Sequence, residues 1–321
     1  MGKLLFFFID GVGLGEDDEN VNPLLSFLSP FLGTTRFCEA CMPVRGENYV
    51  LRSIDADLGV DGLPQSATGQ TAIMTGINAA EHLGFHMQAF PNEKLIRLLR
   101  EHNLFIDLSE AGIPSTCANL YSREFLEERR NKRKNMMPVS ALSLEAAGIP
   151  YRFIQDYRNG RALFADITNR FLRDRGFDIP VIPPGEGAER ILNLFDSYRF
   201  VFFEYFLTDR YGHSRDYEHL KEEVDILNAF LSELKKAVDD PDDPVDILIA
   251  SDHGNAEDIR TGDHTHNPAP FFFASQNTSL LDRFAGEVHD LTDIKQAVLT
   301  YFGIPPAQER SKSLRTSHRE T

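Results

Sequence analysis

Residues able to bind a cation or transfer a proton collect at the ends of apolar runs. "FFFIDG" runs into Asp10, and "FFEYFLTDRYGH" runs into Asp209 and His213. "LIASDHGN" runs into Asp252 and His253, and "TGDHTHNPAP", with His264 and His266, precedes a further apolar run. A single acid at a strand end reads as a cap for the next helix. Asp and His at three separate places, with an acid at a fourth, form a pattern that capping does not explain. Carboxylates and imidazoles are the donors that manganese and zinc accept. Asp209 and His213 stand four apart, so one helical turn or a tight loop brings both heads to one ion. Asp252 and His253 are adjacent and point to opposite sides of an extended chain; a sharp turn, for which Gly254 offers the freedom, is needed to bring them together.

Phosphate chemistry also requires a nucleophile. In "GLPQSATGQTAIMTGINA" a small-residue helix begins near Ser66 to Gly69, after Pro64. A hydroxyl at a helix N-terminus sees free N–H groups and the positive end of the dipole, where a phosphate also binds. Ser66, Thr68 and Thr71 all qualify by chemistry, and the plain alternative is that Ser66 or Thr68 is an N-cap. "DGVGLG" after the first run resembles a dinucleotide fingerprint but places its third glycine, Gly15, one residue early; a turn that aims Asp10 at the site accounts for it better.

These residues need a scaffold. The runs 3–9, 199–207, 245–250 and 269–274, with a weaker one at 114–121, are apolar without alternation, and helical segments separate them. That pattern predicts an α/β fold: a doubly wound, mostly parallel sheet with helices on both faces, whose ligands bind beyond the carboxyl ends of the strands. Leu220, Val224, Leu227, Leu231 and Leu234 mark one long helix. A last helix runs through "LTDIKQAVLTYFGIP", with Thr292 as N-cap and Gly303 at its end. The 321 residues read as one catalytic domain, with 122–195 as a small cap or insertion after the nucleophile segment and 306–321 as a flexible tail.

The charge of −16, from 33 Lys and Arg against 49 Asp and Glu, argues against nucleic acid and anionic membrane as partners. It permits a small phosphorylated substrate, since bound divalent cations supply a local positive field. A basic run, Arg129, Arg130, Lys132, Arg133 and Lys134, reads as a solvated helix end or as an anion clamp. Cys38 and Cys41 form a C-x-x-C without a second pair, which reads as reduced, half-buried thiols. With Cys117 the count is odd and no secretory segment is evident, as expected of a cytoplasmic protein. Oligomeric state is not legible.

Taken in order, "FIDGVG", "GLPQSATGQTAIMTG", "TDRYGHSRD", "SDHGNAED", "HTHNPAP" and "LTDIKQAVLTYFGIP" resemble the alkaline phosphatase superfamily, specifically the metal-binding core of cofactor-independent phosphoglycerate mutase and phosphopentomutase. The resemblance implies two divalent ions, Mn2+ or Zn2+. Asp10, Asp252 and His253 would ligate one, and Asp209, His213 and His264 the other. It selects Ser66 as nucleophile and as a contact of the first ion. Gln65 and Gln70 depart from the family pattern, and Gln70, Thr68 and His266 are the candidates for substrate contacts. The implied reaction is phosphoryl transfer through a phosphoserine, with phosphomonoester hydrolysis first, and a phosphoglycerate or sugar-phosphate mutase or a non-catalytic metal-binding homologue as alternatives.

Overall fold

The computed structural model describes residues 2–131 and 136–305. Among the described residues seven strands form one sheet: β1 (Leu4–Ile9), β2 (Val44–Arg45), β3 (Tyr49–Ile54), β4 (Ser115–Cys117), β5 (Phe200–Tyr205), β6 (Asp246–Ala250) and β7 (Ala269–Ala274). Their order is β2-β3-β7-β6-β1-β5-β4. β6, β1, β5 and β4 run parallel, whereas β7 lies antiparallel to both β6 and β3.

The apolar runs lack alternation because both faces of the sheet are covered. In β1, Leu4, Phe6 and Phe8 enter one core while Leu5, Phe7 and Ile9 enter the other. Helices Ser66–Thr75, Glu93–Glu101, Leu104–Glu110, Val139–Ala146 and Asp293–Tyr301 cover the first face. Helices Pro184–Leu192 and Tyr217–Val238 cover the second, the latter through Leu220, Val224, Leu227, Leu231 and Leu234. Phe7 stacks on Phe203 and meets Phe230 edge-on, both at 5.5 Å, locking β1, β5 and the long helix together.

Three expectations change. The hairpin β2–β3 was not foreseen: β3 exposes part of one side and β2 has only two residues, so neither makes a continuous apolar run. β7 is antiparallel, so the loop entering it, not the one leaving it, meets the carboxyl ends of β1, β5 and β6. Thr292 precedes the last helix but gives its hydroxyl to Asp290 Oδ1 at 2.6 Å rather than capping a helix N–H.

Much of 122–195 is built into the body rather than standing over it. Leu126, Met137, Val139 and Leu142 join the first core, and Ile167, Ile182, Ala188 and Ile191 the second; Tyr157, Ala162 and Ile179 form a small separate cluster. Arg130 pairs with Glu145, and Arg129 lies over the rings of Phe90 and Phe125 at 5.3 and 5.1 Å. Lys132, Arg133, Lys134 and the 306–321 tail lie outside the described residues. Among the described residues no helix is long and apolar enough to cross a membrane.

Candidate metal centre and nucleophile

Four loops converge where β1, β5 and β6 end and β7 begins. Asp10 follows β1, its N–H extending the ladder to Tyr205 O at 2.8 Å. Gly11 then turns the chain with φ +69°, and a side chain there would meet Asp209 Cβ at 2.6 Å. Asp209 and His213 lie on the helix Leu207–Ser214 that follows β5. Asp252 and His253 follow β6 in a bend, both fully buried. His264 comes from the loop entering β7.

The heads fall into two groups that share His253. Asp10, Asp252 and His253 form one: His253 Nε2 stands 3.3 Å from Asp10 Oδ1 and 3.5 Å from Asp252 Oδ2. Asp209, His253 and His264 form the other. His213 adjoins it, its Nε2 lying 3.3 Å from His264 Nε2 and 3.4 Å from Asp209 Oδ2, with His264 Nε2 3.6 Å from Asp209 Oδ1. The bend after Ser251 brings Asp252 and His253 to one side. Gly254 is not among the glycines of positive φ; its smallness is what matters, since a Cβ would meet Glu257 Oε1 and Thr265 Oγ1, both at 2.3 Å.

Tautomers follow from the partners. His264 Nδ1 faces Pro64 O at 2.7 Å and His213 Nδ1 faces Gly262 O at 2.7 Å. A carbonyl can only accept, so each Nδ1 carries a proton and a neutral ring presents its Nε2 lone pair to the cluster. Burial, reinforced by the charge of His253, holds His264 down at about 4. The hydrogen bond with Asp209 lifts His213 to about 9. Burial opposes charge on His253, but Asp252, Asp10 and Asp209 outweigh it and raise the imidazole to about 10. Burial also opposes charge on Asp209, yet His213, His253 and His264 bring it to about 2. Asp10 is pushed well above the usual carboxylate range by burial and by Asp252 and Asp209.

This cluster fits cations. Three carboxylates crowd one buried region, and the buried Asp10 Oδ1 makes no hydrogen bond. Such an arrangement of hard oxygen and imidazole donors suits two divalent ions.

Ser66 opens the helix Ser66–Thr75 after Gln65, with Oγ 3.0 Å from His253 Nε2. The threonine hydroxyls are committed elsewhere: Thr68 Oγ1 donates to Gln65 O at 3.1 Å and Thr71 Oγ1 to Ala67 O at 2.6 Å. Thr68 is therefore not turned to the cluster as a substrate contact. Nor is Gln70 free to be one, because its Nε2 donates to Asp10 Oδ2 at 3.2 Å and Asp252 Oδ2 at 3.0 Å, bridging two candidate ligands. His266 is exposed and bonds Asp57 Oδ1 at 2.8 Å.

Three supporting residues escaped the sequence reading. Buried Glu257 accepts from Gly13 N at 2.9 Å, Asn255 N at 2.8 Å, Asn267 Nδ2 at 3.0 Å and the Thr265 hydroxyl. It thus ties together the loops carrying Asp10, His253 and His264. Cβ atoms at Gly13 and Gly15 would strike it at 2.5 and 2.8 Å, which accounts for the glycines of "DGVGLG" without a nucleotide. Asn255 Nδ2 donates to Asp209 Oδ1 at 2.9 Å. On β5, burial raises Glu204 to about 7; the Ser140 hydroxyl opposes the shift and the charge of Asp252 adds to it. The run "SDHGNAED" contained Asn255 and Glu257, but only long-range pairing reveals what they hold.

Residues 184–306 match the model of a family described as the Metalloenzyme superfamily. The 2,3-bisphosphoglycerate-independent phosphoglycerate mutase of Haloarcula marismortui is 32% identical over 101 residues, which are 30% of this chain and 19% of that protein. The enzyme of the same name from Moorella thermoacetica is 27% identical over 148 residues, 42% of this chain and 27% of that one. The matched segments thus span less than a third of these relatives' length. Among solved structures, Leishmania mexicana phosphoglycerate mutase superposes with a TM-score of 0.50 at 12% identity, covering 95% of this chain and 96% of that one. A cold-active alkaline phosphatase from Shewanella sp. gives 0.52 at 10% identity, over 95% and 100%. At such identity the likeness is one of fold.

Proposed function

Starting from an alkaline phosphatase-superfamily metalloenzyme, which the family match, the relatives and the fold together support, we propose that the chain transfers the phosphoryl group of a small phosphate monoester to Ser66 and then to water. The observation that carries this is the position of Ser66 Oγ: on the first turn of a ten-residue helix, 3.0 Å from His253 Nε2, where both donor groups meet. Manganese or zinc bound by Asp10, Asp252 and His253, and by Asp209, His213 and His264, would lower the pKa of the Ser66 hydroxyl and neutralise charge on the phosphoryl group.

The chain's own residues supply the rest. The N-terminus of the Ser66 helix receives the anion. Gln70 fixes Asp10 and Asp252 from below, so its departure from the family pattern is compatible with a working site. Pro64 and Gly262 carbonyls orient His264 and His213. Ser66 Oγ attacks phosphorus as the substrate's ester P–O bond breaks, the alcohol leaves and takes up a proton, and a phosphoserine forms. Water then cleaves that ester, releasing inorganic phosphate and returning the proton to the Ser66 hydroxyl.

Hydrolysis is preferred over isomerisation because 122–195 contributes largely to the two cores, leaving little to close over the intermediate and exclude water. The named activity of the curated relatives keeps a mutase as the second reading. A manganese-supplemented screen of phosphorylated metabolites, with Ser66→Ala as the blank, tests the first reading; release of phosphate that survives in the serine variant refutes it. A coupled assay of 2- to 3-phosphoglycerate conversion tests the second.

A further inference from the structure

Cys38 and Cys41 lie outside the metal centre and the proposed reaction does not use them. Cys38 caps and Cys41 ends a short 3-10 turn, Glu39–Cys41, just before β2. Cys38 is fully buried and Cys41 partly exposed, and their sulfurs face each other 2.7 Å apart. Two cysteines serving only as small apolar side chains have no need to meet sulfur to sulfur. The turn is held on both sides: Glu39 N donates to Gly15 O at 3.0 Å, Phe37 N to Leu25 O at 3.0 Å, and Cys41 N closes onto Cys38 O at 3.2 Å. Cys117 cannot compete. It lies buried in β4, at the opposite edge of the sheet, with its thiol on Asn119 Oδ1 at 3.2 Å.

We propose that Cys38 and Cys41 form a thiol–disulfide exchange site, in which Cys41 attacks an external disulfide and Cys38 resolves the mixed disulfide. The division of roles follows from exposure: only Cys41 is reachable from solvent, while Cys38 touches it from the buried side. Burial and the neighbouring Cys41 sulfur push Cys38 up to about 11, which also makes it the poorer first attacker. In the first step a bond forms between Cys41 Sγ and one sulfur of the external disulfide, and the other sulfur leaves as a thiolate. In the second, the Cys38 thiolate attacks Cys41 Sγ and releases the second thiol. The protein loses two electrons and two protons, and the external disulfide is reduced to two thiols. Because Glu39 bonds Gly15, in the glycine loop that follows Asp10, the oxidation state would be registered beside the metal centre without entering it.

The test uses the full chain in mixtures of oxidised and reduced glutathione, followed by alkylation and peptide mass spectrometry. As the oxidised fraction rises, Cys38 and Cys41 should lose alkylation together in a single step, with Cys117 unchanged in its modification after unfolding. Cys38→Ser should instead accumulate a glutathione adduct on Cys41, because the resolving thiol is gone. The proposal is overturned if both thiols stay alkylatable throughout, or if the wild-type chain retains the glutathione adduct on Cys41. Neither outcome bears on the phosphoryl-transfer reading, which Ser66→Ala tests separately.

Discussion

Replacing Glu257 by glutamine removes the charge from a hub without removing its shape. Oε2 accepts two backbone N–H groups, from Gly13 and Asn255, and Oε1 accepts the Thr265 hydroxyl and Asn267 Nδ2. The backbone donors cannot change role, so the glutamine oxygen must keep them and its NH2 must face Thr265 and Asn267. The hydroxyl can rotate to accept and the Asn267 amide can turn over, so no two donors are left facing each other, though the Thr265 O–H and the Asn267 NH2 give up Oε1 as their acceptor. What is lost is charge assistance. Bonds to a charged group contribute about 1.5–3 kcal/mol against about 1 for neutral ones, so four of them together lose about 2–8 kcal/mol. Urea denaturation of the metal-free protein should show that loss. Because three ligand-bearing loops are loosened together, manganese affinity measured by calorimetry should fall about 10- to 100-fold. Phe105→Leu, in the first core against Phe200 and Phe202, serves as the control. It should cost about 1–2 kcal/mol and leave manganese affinity unchanged. If E257Q is destabilised but binds manganese like the wild type, Glu257 supports the fold and does not position ligands. If neither quantity moves, the hydrogen-bond accounting is wrong.

Adding manganese to chelator-treated protein at about 100 times its Kd should raise stability by about 2.7 kcal/mol, seen as a higher melting temperature; an unchanged melting curve removes the metal centre from the account. Without metal, His213 and His253 hold protons up to about 9 and about 10, so manganese binding near neutral pH must displace them. Affinity should therefore rise between about pH 7 and about pH 9, and proton release should appear when calorimetry is repeated in buffers of different ionisation heat; a pH-independent affinity contradicts this. Glu204 has its folded pKa raised from 4.5 to about 7, so the folded state holds a proton that the unfolded state has given up. Its contribution to stability is intact below pH 4.5 and is lost as pH rises through about 7, a difference of about 3 kcal/mol. Urea denaturation should show a shallower decline over that window in Glu204→Gln, and an identical slope in both proteins counts against it.

What the sequence disclosed and what it concealed divide along a physical line. Runs such as "LLFFFI" and "DILIA" are legible because burial on both faces leaves no room for polar residues. The acids and histidines at their ends stand out because they interrupt that apolarity. β3, with Arg52 and Ser53 part-exposed, carries no such contrast. The direction of β7 is not written in "APFFFA", since a strand covered on both faces has the same composition whichever way it runs. The choice among Ser66, Thr68 and Thr71 depends on which hydroxyl the helix backbone captures, and all three residues share the chemistry that suggested them. Gln70 and Glu257 act through partners far away in the chain, at Asp10 and Asp252 for the one and at Gly13 for the other, and no local pattern records those meetings.

The strand order also governs how the chain must be assembled. β1 is an interior strand of the sheet, yet its two partners are residues 200–205 and 246–250. During synthesis "LLFFFI" leaves the ribosome long before either exists. Closing such distant contacts is slow, because the entropy of the intervening loop is lost before the pairing compensates for it. Throughout that interval an uncharged, phenylalanine-rich strand is open to wrong partners, including another copy of itself. Refolding yield should therefore fall as protein concentration rises, and should recover when a chaperone shelters the nascent strand until β5 and β6 arrive.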